Sequence, residues 1–245
     1  MRRLRQIFAL AILTMPPSGA GAFAGYDACV AQIPDAPERT AELAEKWARL
    51  DGGWPAQHCR ALALIAMGAQ RTGAAELTSI AFEATELPRQ SRSELFVHAG
   101  EIFVELDLMG EARQSLDRAL NLAEDPRDAL RLSAMINEAS GRPQAAINDL
   151  DRAIELGPPT SGLLVARSAV RHRAGDLVGA RGDASWALEL APNDPDAWFQ
   201  HGQVEALLGN TDGARDAWLK TIELARGQPL ARAAQTSLQR LEAGL

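Results

Sequence analysis

Every 34 residues through the second half of this chain, a glycine, an alanine and a proline return together. Gly141, Gly175 and Gly209 keep that spacing, as do Ala146, Ala180 and Ala214, and Pro158 and Pro192. A fixed period of this length marks one helix-turn-helix unit copied along the chain. Such a unit cannot bury its apolar face alone, so successive copies must stack. The expected fold class is therefore all-α, with no sheet.

One period can be read residue by residue. Leu164 to Ala174 is a helix-length run, and Gly175-Asp176 then supplies a residue able to take positive φ where the helix stops and the chain reverses. A second helix is expected from about Leu177 to Leu190. On it Ala180 and Ala187 are two turns apart, so two small side chains share a face and let the paired helices approach closely. Pro192 ends that helix. Asp194-Pro195 starts the next as an N-cap followed by proline in the first turn, and Asp125-Pro126 has the same form two units earlier.

These residues resemble the tetratricopeptide repeat. That family's pattern asks for a large apolar residue at position 4, glycine or alanine at 8, glycine at 15, small residues at 20 and 27, a bulky one at 24 and proline at 32. The last unit gives Trp198, Gly202, Gly209, Ala214, Trp218 and Thr221. The unit before it gives Leu164, Ser168, Gly175, Ala180, Ala184, Ala187 and Pro192, and the one before that Leu130, Ala134, Gly141, Ala146, Leu150, Ala153 and Pro158. A further unit offers Phe96, Gly100, Ala112, Leu116 and Ala119, but Asp107 stands where the turn glycine belongs and Gly110 comes three residues late, so its turn reads as degenerate. Position 7, usually leucine, is Ala99, Ser133, Arg167 and His201, a departure at one packing site. The resemblance implies a right-handed α-solenoid of stacked helix pairs that serves as a protein-binding scaffold; no enzyme is expected, the alternative being an active site built on the solenoid.

Four such repeats are expected over residues 93–226. Residues 25–92 read as a helical region with degenerate repeats: His58 to Gly68 is a helix ending in glycine, Gly73 to Ala84 its partner, and Leu43, Trp47 and Leu50 form an apolar stripe upstream. In residues 227–245, Leu230, Ala234, Leu238 and Leu241 suit a terminal helix that caps the stack.

The amino terminus sets a compartment. Arg2, Arg3 and Arg5 precede the apolar run Ile7 to Met15, and Ala22-Phe23-Ala24 offers small residues at the positions a signal peptidase inspects. Residues 1–24 thus read as a cleaved secretory signal and the mature chain as periplasmic; an uncleaved anchor, which would place the chain in a membrane-tethered complex, is the alternative. No later stretch approaches the roughly 18 to 20 apolar residues a membrane span needs. Cysteine usage agrees. An even pair, Cys29 and Cys59, is most simply a disulfide in an oxidising compartment, against two free thiols or a metal site with His58, whose spacing does not suit ligation.

Charge narrows the partners. The formal charge is −7, and residues 1–24 hold three arginines and no acid, so the remainder has 22 basic and 32 acidic side chains. Nucleic acid and anionic membrane surfaces select the opposite sign. His58, His98, His172 and His201 are scattered without a nucleophile motif, and the carboxylate pairs Asp149/Asp151 and Glu101/Glu105 read as solvated helix positions. Neither a catalytic constellation, a metal site nor a cofactor is expected.

The family places its ligand contacts at positions 2, 5, 9, 12 and 13 of each first helix, on the concave side. Carried over, the resemblance implies a partner groove of Glu101, Glu105, Arg131, Met135, Glu138, His172, Arg173, Phe199 and Gln203. This acidic set with apolar points implies an extended or helical partner bearing basic and apolar residues, with Met135 and Phe199 as anchors and Glu101, Glu105 and Glu138 selecting charge. The alternative is that these are ordinary solvated positions of a protein binding elsewhere.

Overall fold

The structure is a computed structural model that describes residues 25–243; the segment expected to be a signal lies outside the described residues. Among the described residues every regular element is a helix. In order these are α1 (Tyr26–Gln32), α2 (Pro37–Trp47), a π-helical turn (Ala48–Gly52), α3 (Gly53–Ala66), α4 (Gln70–Glu83), α5 (Arg89–Glu105), α6 (Met109–Leu122) and α7 (Arg127–Ala139). There follow α8 (Pro143–Glu155), α9 (Ser161–Arg173), α10 (Leu177–Leu190), α11 (Pro195–Leu207), α12 (Thr211–Leu224) and α13 (Pro229–Glu242). The chain divides into two compact units, Met1–Leu132 and Ser133–Leu245. Within each, a helix packs on the next in sequence, and α9 and α11 also pack on each other as successive first helices of a solenoid.

The turn residues act as their chemistry requires. Gly141, Gly175 and Gly209 have φ of 71°, 85° and 80°. Each carries a Schellman closure, in which the following N–H reaches back to a carbonyl of the last helical turn: Arg142 to Asn137, Asp176 to Arg171 and Asn210 to Glu205, at 2.8–2.9 Å. Asp107 corrects the reading of a degenerate turn. Its φ is 58°, and Leu108 N donates to Phe103 O at 2.8 Å, so the same closure is built on an aspartate, one of the few side chains that tolerates the left-handed region. Gly68 closes α3 identically, with Ala69 N on Leu64 O at 2.9 Å. The expected cap at Asp194 is present too, its carboxylate accepting from Asp196 N at 3.0 Å, and Asp125 accepts from Arg127 N at the same distance.

Small residues hold the helix pairs together. Ala112, Ala146, Ala180 and Ala214 are wholly buried, and so are Ala119, Ala153, Ala187 and Thr221 seven residues on. Large side chains fill what remains: Phe96, Leu130 and Leu164 are buried on first helices, Leu150 and Trp218 on second ones. Size is traded between facing positions. A Cβ built on Gly202 would lie 2.6 Å from Trp218 Nε1, whereas Ser168, one period earlier, faces a repeat whose corresponding residue is Ala184. Gly202→Ala is accordingly expected to overpack that pair and cost about 1–3 kcal/mol in a denaturation midpoint series, an effect reduced by pairing it with Trp218→Leu.

Position 7 is where the repeats depart from leucine, and the structure supplies the reason. Where a polar residue replaces it in three of the hairpins, the residue sixteen further along, on the partner helix, is polar to match. Ser133 Oγ donates to Asp149 Oδ2 at 2.6 Å, Arg167 makes a two-point contact with Asp183 at 2.6 and 2.9 Å, and Arg60 pairs with Glu76 in the same relation. Asn137 also donates to Asp149, and Arg167 reaches Asp151 on α8 at 2.6 Å. Asp149 and Asp151 are therefore not free carboxylates on a solvated face, as the sequence suggested; both are spent on first-helix side chains.

The N-terminal unit is tied by the Cys29–Cys59 disulfide, which joins α1 to α3 across 30 residues with a Cα–Cα distance of 6.3 Å. Both cysteines are buried with Ile33, Ala41, Ala44, Leu62 and Ala63, and Leu43 and Trp47 pack on that cluster. Leu50, expected on the same stripe, lies in the π-helical turn and is 67% exposed. That turn breaks the helical spacing on which the stripe depended. At the other end Ala234 is buried with Ala214 and Trp218, and Leu238 and Leu241 pack against them, so α13 covers the last repeat.

Candidate functional site

The first helices of a stacked repeat present a row of side chains that the pairing with second helices does not consume, and the candidate residues lie there. In unit Met1–Leu132 these are Glu101 and Glu105 on α5 and Arg131 on α7. Glu101 is buried and its carboxylate forms an ion pair with Arg131, whose Nε also stands 3.9 Å from Asp128. Glu101 is thus neutralised rather than solvated. Glu105, one helical turn on, is exposed.

In unit Ser133–Leu245 the row is Met135 and Glu138 on α7, His172 and Arg173 on α9, and Phe199 and Gln203 on α11. Met135, His172, Phe199 and Gln203 are half-buried. Arg173 and Glu138 are ion-paired across consecutive first helices, so this carboxylate too has a partner within the chain. Phe199 leans on the Ala214, Trp218 and Ala234 cluster while keeping part of its ring accessible. The Nδ1 atoms of His172 and His201 are buried without a hydrogen bond. Burial first, then Arg173, holds the His172 pKa below its ordinary value, and burial does the same for His201, so both rings are neutral at pH 7. Together the row has an apolar point at each end and a compensated ion pair between.

A second feature, which the sequence did not announce, is a shallow cleft of about 340 Å³ between second helices α4 and α6 in the first unit. Ala75, Thr78, Phe82, Gln114 and Arg118 line it, and it adjoins one of about 210 Å³ floored by Phe103. The Arg118 guanidinium lies over the Phe82 and Phe96 rings at 5.2 and 5.8 Å, a cation–π bridge across the cleft. Ser79 there donates to the exposed Glu83 carboxylate one helical turn on, at 2.9 Å.

Among the described residues no three His, Cys, Asp or Glu side chains converge as metal ligands, and no helix is long and apolar enough to cross a membrane.

No protein-family model matches the chain, and no curated protein matches it. Solved structures do. A tetratricopeptide repeat protein from Parabacteroides merdae superposes with a TM-score of 0.72 at 12% identity, over 89% of this chain and 84% of that one. Yeast Tom70 gives 0.70 at 13% identity, over 91% of this chain and 48% of its own. The Cut9–Hcn1 hetero-tetramer of the APC/C gives 0.64 at 15%, over 89% of this chain and 43% of that one. At such identities the likeness speaks for the fold alone, and the fold is that of the tetratricopeptide repeat.

Proposed function

We propose that this chain, having the tetratricopeptide-repeat fold, is a non-enzymatic protein-interaction module whose first-helix rows bind a partner segment. The observation that carries this is the row on the second unit: Met135 and Phe199 are only half-buried and keep apolar surface accessible, with Gln203 one helical turn from Phe199. An apolar partner side chain gains about 25 cal/mol for each Å² it buries there. Glu105 attracts a basic residue directly. Glu138 takes one by exchange with Arg173, since an exposed ion pair is worth only about 0–1 kcal/mol and is displaced at little cost. The partner is accordingly a protein or peptide with basic and apolar residues, and the net acidity of the chain favours such a partner over nucleic acid.

We place the module in the periplasm, serving envelope assembly or the maturation of exported proteins. The signal-like residues 1–24 and the Cys29–Cys59 disulfide, which persists in oxidising compartments, support that reading. One experiment addresses both parts. Protein isolated from periplasmic extract carries a photo-crosslinker at Gln203 or, as a control on an exposed second-helix site, at Gln144. We expect an intact mass that begins near Gly25 with one disulfide, and a partner joined through Gln203 but not Gln144. A retained N-terminal segment defeats the periplasmic part in favour of a tethered subunit; equal crosslinking at both sites defeats the first-helix row.

A further inference from the structure

Helix α10 carries its larger apolar side chains outward. Toward the core it presents Ala180, Asp183, Ala184 and Ala187; toward solvent it presents Val178, Trp186 and Leu190, which are 72%, 38% and 47% exposed. Side chains four apart form one ridge along a helix, and Val178, Gly182, Trp186 and Leu190 are successive members of such a ridge. Gly182 is the informative member. It lies in the helix interior, where glycine is less favourable than alanine, yet a Cβ built on it meets nothing within 4 Å. No neighbour among the described residues requires it to be glycine. The flanks of the ridge are charged, with Arg181 and Glu189 both exposed and neither in an ion pair among the described residues.

This surface is its own complement. Set antiparallel to α10 of a second copy, about a two-fold axis passing near Ala184 and Ser185, Trp186 of each copy falls opposite Gly182 of the other. Val178 then meets Leu190, because 178/190 and 182/186 share a centre at Ala184, and Arg181 meets Glu189, whose centre at Ser185 is one residue, about 1.5 Å, further along and within reach of these long side chains. A contact between identical copies about a two-fold axis demands such reciprocity. Antiparallel alignment also places each helix N-terminus against the other's C-terminus, which the helix dipoles favour. We propose that the solvent-facing side of α10 is a self-association surface for a second copy of this chain, with the Trp186 indole of one copy seated over Gly182 of the other. The first-helix rows are not part of it.

A fourteen-residue helix is about 21 Å long, so a pairing built on α10 alone buries less than the roughly 1,000 Å² of a durable interface. The association is therefore reversible and concentration-dependent. Sedimentation velocity of the disulfide-bonded chain, from low micromolar to near-millimolar concentration, is expected to show a monomer–dimer equilibrium. Gly182→Gln fills the indole's seat at a position with room for a side chain in the free protein, and is expected to weaken the dimer by about tenfold or more while the melting midpoint is kept or raised. Arg181→Glu and Glu189→Arg each set like charges opposite one another and weaken it a few-fold, and the two together restore it. A chain that stays monomeric across the range overturns the proposal. So does a dimer whose constant is unmoved by Gly182→Gln, or charge reversals that do not rescue each other.

Discussion

Asp183→Ala is expected to destabilise the second unit by about 3 kcal/mol, read as a lowered denaturation midpoint with unchanged slope. The Asp183 carboxylate is 3% exposed and accepts from Arg167 Nε and a terminal nitrogen of the same guanidinium, and from Arg171 at 2.9 Å. Removing one partner of a buried pair leaves the other desolvated and uncompensated, which costs about 3–5 kcal/mol. Here the lower end applies, because Arg167 keeps Asp151 on α8. The decisive companion is Arg167→Leu combined with Asp183→Leu. Exchanging a whole buried ion pair for apolar side chains is often neutral or stabilising, so the double variant is expected to regain most of the loss. Additive losses would mean that Asp183 acts through something other than Arg167.

Acid should weaken the first unit before any carboxylate pair fails. His58 is buried on α3, shares a hydrogen bond between its Nδ1 and the Tyr26 hydroxyl at 2.9 Å, and lies with its ring parallel to that tyrosine. Burial, reinforced by His98, lowers its pKa to about 3; burial and Arg131 lower that of His98 to about 4. Both groups charge readily in the unfolded chain, near pH 6.5, and resist charging in the folded one. Their stabilising contribution is therefore whole above pH 6.5 and is lost as pH falls toward the folded values. Between pH 7 and pH 5 His58 alone accounts for a loss of about 2 kcal/mol, and His98, which is partly exposed, adds less. Glu76 and Glu94 work in the opposite direction, since burial raises their pKa and a proton taken up in the folded state stabilises it. His58→Gln isolates the histidine contribution. Its stability should change by about 2 kcal/mol less than that of the parent over the same interval. Parallel pH profiles for the two proteins would refute the assignment.

What the sequence made legible was whatever local sterics dictate. A turn needing positive φ and a helix pair needing close approach leave glycine and alanine at fixed spacing, and Gly141, Ala146, Ala180 and Gly209 stand where that logic puts them. Asp107 hid because its turn is the same but its residue type is not. Leu50 misled because periodicity assumes an unbroken helix, and the π-helical turn breaks it. The polar mates of position 7 were invisible for a different reason: Arg167 and Asp183 become neighbours only once two helices are folded against each other, and nothing local signals it. The candidate site suffers likewise. Its residues could be named from the repeat, but the pairing of Glu101 with Arg131 and of Glu138 with Arg173 depends on side chains from successive first helices.

Those polar mates also bear on how a chain of near-copies avoids confusing them. Ser133 matches Asp149 and Arg167 matches Asp183, whereas the residue sixteen after His201 is Ala217, which has no polar group to offer. A hairpin that paired wrongly would set Arg167 beside Ala217, or bury Asp183 against Ala99, and strand a charge out of reach of water at several kcal/mol. Look-alike hairpins emerging one after another are prone to such exchange, within a chain and between neighbouring chains. A leucine at every position 7 would make all of them interchangeable. By giving neighbouring hairpins mates that differ in size and charge, the sequence sorts its helices by what it forbids as much as by what it favours.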